Sequence, residues 1–117
     1  QAKQDPLFTS EQKIGVTNKQ GWIAYYLNGE VLIKRFGFDP GAVYPDYGCN
    51  NEIYINGQFL EVETLGPLTR IPPGGAAEHA EHWLLAKATA DESEESIDAN
   101  ILPLVKSFQP KFKNEAN

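Results

Sequence analysis

Glu52, Glu61 and Glu63 stand on either side of an Asn56-Gly57 pair, within two runs of strand-forming residues, 50–55 and 58–64. Asn-Gly between alternating apolar residues is the signal of a two-residue type I′ turn, and such a turn sets the pairing of the strands it joins. The expected partners are Ile55 with Gln58, Tyr54 with Phe59, Ile53 with Leu60, Glu52 with Glu61 and Asn50 with Glu63. Side chains alternate between faces along a strand. One face of this hairpin therefore holds Ile53, Ile55, Leu60 and Val62, with Cys49 and Thr64 at its end. The other holds Asn50, Glu52, Tyr54, Phe59, Glu61 and Glu63.

Opposed like charges on neighbouring strands destabilise a sheet by up to about 1 kcal/mol. Three arrangements relieve that conflict: a Lys or Arg from an adjacent strand, a proton retained by one carboxyl, or a bound ligand or cation. The second carries chemistry, because paired carboxylates push their pKa values apart and leave one acid beside one base. The face also carries Asn50, Tyr54 and Phe59. With Trp22 and Asp46 these supply the polar and aromatic mixture typical of small-molecule pockets. Sugars suit such a surface, donating hydroxyls to carboxylates and laying apolar ring faces on aromatic rings. The alternative is a solvated strand face whose repulsion water and nearby cations relieve. Ligand contacts are thus expected from Asn50, Glu52, Glu61, Tyr54, Asp46 and Trp22.

A first hairpin precedes this one. Residues 22–27 and 30–36 flank Asn28-Gly29, which pairs Tyr26 with Val31, Ala24 with Ile33 and Trp22 with Arg35 on one face. Both faces are mostly apolar, so cover on both sides is expected. Trp22 beside Arg35 could serve as a stacking platform or simply stabilise the sheet. Residues 37–48 form a loop through their Gly and Pro content, and 67–75 a connection with room for a very short strand at 69–71. Residues 77–88 alternate as a longer strand. Asp91 and Glu94 have capping-box spacing, and Ile97, Ile101, Leu104, Val105 and Phe108 recur at helical spacing up to and past Pro103. The expectation is a short helix, then a turn, lying as a lid on the sheet. Residues 1–12 and 109–117 are expected to be loosely ordered.

The chain of 117 residues has a net charge of −6 and a single cysteine. Its length fits one domain with its own core. The acidic balance argues against nucleic acid as a partner, and no apolar run approaches the roughly 18 residues of a membrane span. Cys49 alone builds neither a disulfide nor a thiolate cage. His79 and His82 would fall on opposite faces of a strand, so no metal site is expected. No cofactor is implied, and no Ser has a partner His at hydrolase spacing. The chain begins at Gln1 and has no Met, which leaves open a removed initiator, a cleaved leader or a longer parent chain.

The run Tyr44-Pro45-Asp46-Tyr47-Gly48-Cys49-Asn50-Asn51-Glu52, followed by residues 59–67, Ile71-Pro72-Pro73-Gly74 and Glu81-His82-Trp83, resembles the C-terminal part of galactose-mutarotase-like proteins, in particular their uncharacterised branch. The likeness covers roughly residues 13–87. It implies a mainly β chain, an antiparallel β-sandwich of truncated mutarotase type with a short C-terminal helix, which binds a carbohydrate on an open face. In that family's enzymes a Glu takes the anomeric proton and a His protonates the ring oxygen. Glu63 matches the base, while neither His79 nor His82 matches the acid. Half of a large sandwich leaves sheet edges and an apolar face to be covered, so a homodimer through β-sheet surface is expected, with the C-terminal helix as the alternative cover. Three functions follow: carbohydrate or small polar ligand binding, sugar mutarotation or epimerisation with Glu63 as base, and a structural module whose acidic face meets a basic partner.

Overall fold

The computed structural model describes residues 1–112, and the chain is mainly β, the described residues forming six strands in two antiparallel three-stranded sheets and short helices near the C-terminal end. The described chain divides into two compact units. The first comprises Gln1–Gln20 and Phe38–His79, and the second comprises Gly21–Gly37 and the chain from Ala80 onward. Among the described residues no helix is long and apolar enough to cross a membrane.

The first unit is built on β1 (Gln12–Val16), β4 (Asn51–Ile55) and β5 (Leu60–Thr64), in the order β1-β4-β5. Ile14, Ile53 and Val62 form one cross-strand row, and Ile55 and Leu60 continue the same apolar face. The opposite face carries two rows, Gly15, Glu52 and Glu63 in one, and Lys13, Tyr54 and Glu61 in the next.

The expected register of this hairpin is corrected. Ile55 pairs with Leu60, Tyr54 with Glu61, Ile53 with Val62 and Glu52 with Glu63, each partner displaced by two residues. The loop is longer than Asn-Gly alone: the Asn56 N–H donates to the Phe59 carbonyl at 3.1 Å. Asn56 Oδ1 accepts from the N–H groups of Gln58 and Phe59 at 2.8 and 2.9 Å. A side chain that caps the turn from within makes the positive φ angles of a type I′ turn unnecessary, and neither Asn56 nor Gly57 has one. The lead-in contributes as well. Gln4 Nε2 donates to the Asn56 carbonyl, and a Cβ at Gly57 would stand 3.2 Å from the Phe8 carbonyl oxygen. Strand β1 itself begins at Gln12, inside the stretch expected to be a loose lead-in.

The second unit holds β2 (Trp22–Leu27), β3 (Glu30–Phe36) and β6 (Glu81–Lys87), in the order β2-β3-β6. The first hairpin has the expected register, and Asn28 and Gly29 both have positive φ, at 49° and 82°, as a type I′ turn demands. The strand at residues 77–88 is shortened to β6, and no strand forms at 69–71. Helix α2 (Glu94–Asn100) is capped by Ser93, whose Oγ accepts from the Ser96 N–H. Asp91, the expected cap, instead accepts from the Ser93 N–H. Pro103 opens a second helix, α3 (Leu102–Ser107), where a turn was expected, because the first turn of a helix needs no N–H from it. Val31, Ile33, Ile101 and Val105 form the buried core, with Trp22, Ala24, Tyr26, Leu84 and Phe108 against it. The helices are thus the lid on one face of this sheet. On its other face Trp83 and Leu85 are exposed. Of the C-terminal end expected to be loose, residues 113–117 lie outside the described residues.

Candidate functional site

A cleft of about 680 Å³ opens on the charged face of the first unit, lined by Lys13, Gly15, Val16, Thr17, Asp46, Tyr47, Cys49 and Glu52. Its chemical centre is Glu52, whose side chain is only 4% exposed. Lys13 Nζ lies 2.8 Å from Glu52 Oε2, and 3.1 and 3.3 Å from the two oxygens of Glu63. The cation sits one row from Glu52 and reaches across because Gly15, the strand neighbour of Glu52, has no side chain in the way. The Lys13 ammonium is held well above its ordinary range by hydrogen bonds to Glu52 and Glu63.

Asp46 approaches the same carboxylate from the loop before β4. It shares a hydrogen bond with Glu52, and that bond, reinforced by the Glu52 charge, pushes the Asp46 carboxyl upward. Glu52 moves the other way: the Lys13 hydrogen bond lowers it against the cost of its burial, and the Asp46 hydrogen bond helps. One carboxyl is thereby poised to keep its proton and the other to stay ionised.

Asp46 is held there by an unusual backbone. In the short turn α1 (Pro45–Gly48), Asp46 has φ 48° and ψ 54°, Tyr47 has φ 62° and ψ 27°, and Gly48 has φ 95°. Left-handed conformation at two successive non-glycine residues carries strain of order 1–3 kcal/mol each. The turn is tied down by the Cys49 N–H, which donates to the Pro45 carbonyl at 2.9 Å, and by Thr17 Oγ1, which donates to the Gly48 carbonyl at 2.8 Å. Tyr47 projects fully into solvent.

The sign of the Asp46 shift gives a prediction. A carboxyl whose folded pKa is raised binds its proton more tightly in the folded state, so its contribution is present in acid and lost as pH rises through the folded value. Asp46→Asn cannot undergo that loss, and Asn tolerates left-handed backbone. The stability of Asp46→Asn relative to the parent should therefore increase from about pH 4 to about pH 7. Urea melts at several pH values measure it, and a constant difference would refute the shared proton.

The remaining expected site residues separate into three groups. Glu52, Glu63 and Asp46 are brought together. Glu61 and Tyr54 share the face but sit one row away, with the Tyr54 ring 5.6 Å from that of Phe59. Asn50 and Trp22 are committed elsewhere. Asn50 is wholly buried, its Oδ1 accepting from the Asn18 N–H at 2.6 Å and its Nδ2 donating to the Asn18 carbonyl at 3.0 Å. Trp22 packs in the core of the second unit. His79 meets Thr64 Oγ1 at 2.7 Å, and His82 lies edge-on to Phe112. Among the described residues no three His, Cys, Asp or Glu side chains are placed to hold a metal ion.

Compared with models of known protein families, with curated proteins and with solved structures, the chain matches none. What can be said of the site therefore rests on its own residues. Lys13, Gly15, Val16, Thr17, Tyr47 and Cys49 are the lining residues that were not among the expected ligand contacts. The signal for β1 was the alternation of Ile14 and Val16 with Lys13 and Gly15, short but of period two. Gly15 is required by its surroundings, since a Cβ there would stand 2.6 Å from Cys49 Sγ and 3.7 Å from Glu52 Cγ. Gly15→Ala should displace Cys49 into the cleft and cost about 1–3 kcal/mol as an overpacked contact. A denaturant titration, with the rate of Cys49 labelling by a thiol reagent, checks both effects.

Proposed function

We propose that the cleft of the first unit binds a small polyhydroxylated ligand, a carbohydrate. The observation that carries the reading is the Asp46–Glu52 carboxyl pair with Lys13 beside it, open to a cleft. Folding alone gives no reason to bury Glu52 against a second carboxyl and to hold Asp46 there on strained backbone. A sugar does use such a group: vicinal hydroxyls donate to the carboxylates and to the Thr17 hydroxyl oxygen, and accept from the Lys13 ammonium. The exposed Tyr47 ring at the rim offers a stacking surface for the apolar face of a pyranose. The cleft volume lies within the 300–1,000 Å³ range typical of small-molecule sites, and the resemblance to mutarotase-like proteins points to the same ligand class.

Saturation-transfer NMR and calorimetry with a panel of free mono- and oligosaccharides test this. At least one sugar should bind, and Glu52→Gln should weaken it by about tenfold or more, the scale of a charge-assisted hydrogen bond. No binding by any sugar, or equal binding by the folded variant, would sink the proposal.

The Asp46 and Glu52 carboxyls, one pushed upward and the other downward by their mutual hydrogen bond and by Lys13, favour one second reading, mutarotation or epimerisation, with Glu63 as the base that the resemblance implies. Both Glu63 oxygens contact Lys13, so a base role requires the ammonium to move as substrate enters. Anomer exchange of the sugars that bind, followed by NMR with catalytic protein, distinguishes an enzyme from a binder. Glu63→Gln should abolish any acceleration.

A further inference from the structure

We propose that β6 is a self-complementary edge, on which a second copy of this chain adds its own β6 antiparallel about a two-fold axis at Leu84. β6 is the terminal strand of the order β2-β3-β6. Trp83 and Leu85, at its centre, are 63% and 68% exposed. Edge strands are normally protected by charge, proline or a bulge, and an exposed apolar edge is a template for pairing. Glu81 and Lys87 confine charge to the two ends of this strand and leave the apolar pair between them.

The direction of the backbone groups follows from the first hairpin. Leu27 and Glu30 flank a two-residue turn and so form a hydrogen-bonded pair, which places Leu32, Lys34 and Phe36 toward β2 as well. The Phe36 N–H donating to the Gly21 carbonyl agrees, and the Ala88 N–H donating to the Gly29 carbonyl shows the alternate set facing β6. Val31–Ala86, Ile33–Leu84 and Arg35–His82 are then the bonded pairs between β3 and β6. It follows that the N–H and C=O groups of Trp83, Leu85 and Lys87 point away from the sheet.

A second β6 placed about Leu84 sets Trp83 against Leu85 of the partner subunit, and Lys87 against Glu81 of the partner subunit. These are the positions whose backbone groups point outward, so the ladder closes without a bulge. A shift of one axis step in either direction would oppose Trp83 to itself or Leu85 to itself and leave the charges facing apolar residues. The centred register joins the two exposed apolar side chains and matches opposite charges at both ends. Lys87 has a side chain 84% exposed, held by Glu30, and can reach Glu81 of the partner subunit, where Lys34 already stands 2.8 Å from the in-chain carboxylate.

The test is sedimentation equilibrium of the full chain over a concentration series, with amide hydrogen exchange read residue by residue. The expected result is a dimer in which the Trp83 and Leu85 amides exchange at least about tenfold more slowly than at concentrations where the chain is monomeric. Leu85→Lys places a like charge on each side of the axis and should raise the dimer dissociation constant at least about tenfold. Its melting curve shows whether the monomer stays folded, and a folding failure is bypassed by Lys87→Glu, which sets acid against acid at both ends and should weaken the dimer in the same direction. A monomer at every concentration overturns the proposal. So does a dimer that neither variant weakens, or one whose Trp83 and Leu85 amides gain no protection.

Discussion

Asn50→Ala should destabilise the chain by about 2–4 kcal/mol, the largest loss expected from any polar substitution in the first unit. The Asn50 side chain is fully buried and makes a two-way clasp with the backbone of Asn18, accepting from its N–H and donating to its carbonyl. Its own backbone adds two more ties, its N–H to the Val16 carbonyl and its carbonyl to the Leu65 N–H. Alanine would leave two backbone groups of Asn18 without these partners in a part-buried setting. The cost of unmet polar groups exceeds the modest net worth of a hydrogen bond. Asn50→Asp keeps the acceptor but buries an unpaired carboxylate against the Asn18 carbonyl, so near neutral pH its cost should exceed that of alanine, and it should shrink in acid where a protonated carboxyl can donate. Denaturant unfolding of the three proteins gives the ordering. The clasp also has a functional consequence, because it fixes the segment after β1, including Thr17, beside the loop of Asp46 and Cys49. Asn50→Ala should therefore weaken ligand binding through a displaced cleft.

The face on which the carboxylates gather was legible in the sequence, and their partners were not. Strand side chains repeat every two residues, so an error of two in the turn length leaves every residue on its proper face. This is why Glu52, Glu61 and Glu63 share a face as the hairpin pattern predicts, although Glu52 meets Glu63 and not Glu61. The turn itself was misjudged because Asn-Gly is the signal for a type I′ bend only where Asn takes positive φ. Asn28 does so, whereas Asn56 spends its side chain on the N–H groups of Gln58 and Phe59. In the second unit, the register of the first hairpin and the helical spacing of Ile101 and Val105 followed from periodicity, but which of the hairpin's two apolar faces is buried did not. Lys13 and Asp46 reach Glu52 from segments distant along the chain, and no local pattern encodes such a meeting. For the same reason Asn50 and Trp22 were attractive by residue type while their side chains serve packing. The conflict between Glu52 and its acidic neighbours was visible, however, and the cation of Lys13 from the adjacent strand relieves it, while the hydrogen bond to Glu52 pushes the Asp46 carboxyl upward.

Lys13→Met should produce the largest change in pH dependence of any single substitution. In the parent, Glu52 is held below its ordinary range chiefly by Lys13, so this contribution to stability is present above the unfolded carboxylate pKa and is lost as pH falls through the depressed folded value. Without Lys13 the buried Glu52 faces Asp46 and Glu63 with no cation from β1, and burial and like charge both favour its protonated form. Its folded pKa then rises above the unfolded one and the sign reverses: stability is greatest in acid and declines as pH passes upward through the new value. The parent and the variant should thus differ most near neutral pH and converge only as pH falls through the depressed folded value of Glu52, below the ordinary carboxylate range. Adding Glu52→Gln to Lys13→Met removes the stranded charge and should recover much of the loss at neutral pH, giving a coupling between positions 13 and 52 well outside additivity. Thermal melts of the parent, the two single variants and the double variant across that range complete the cycle. If Lys13→Met were equally destabilising at every pH, Lys13 would act through packing alone, and the charge balance on which a sugar-binding cleft depends would have to be abandoned.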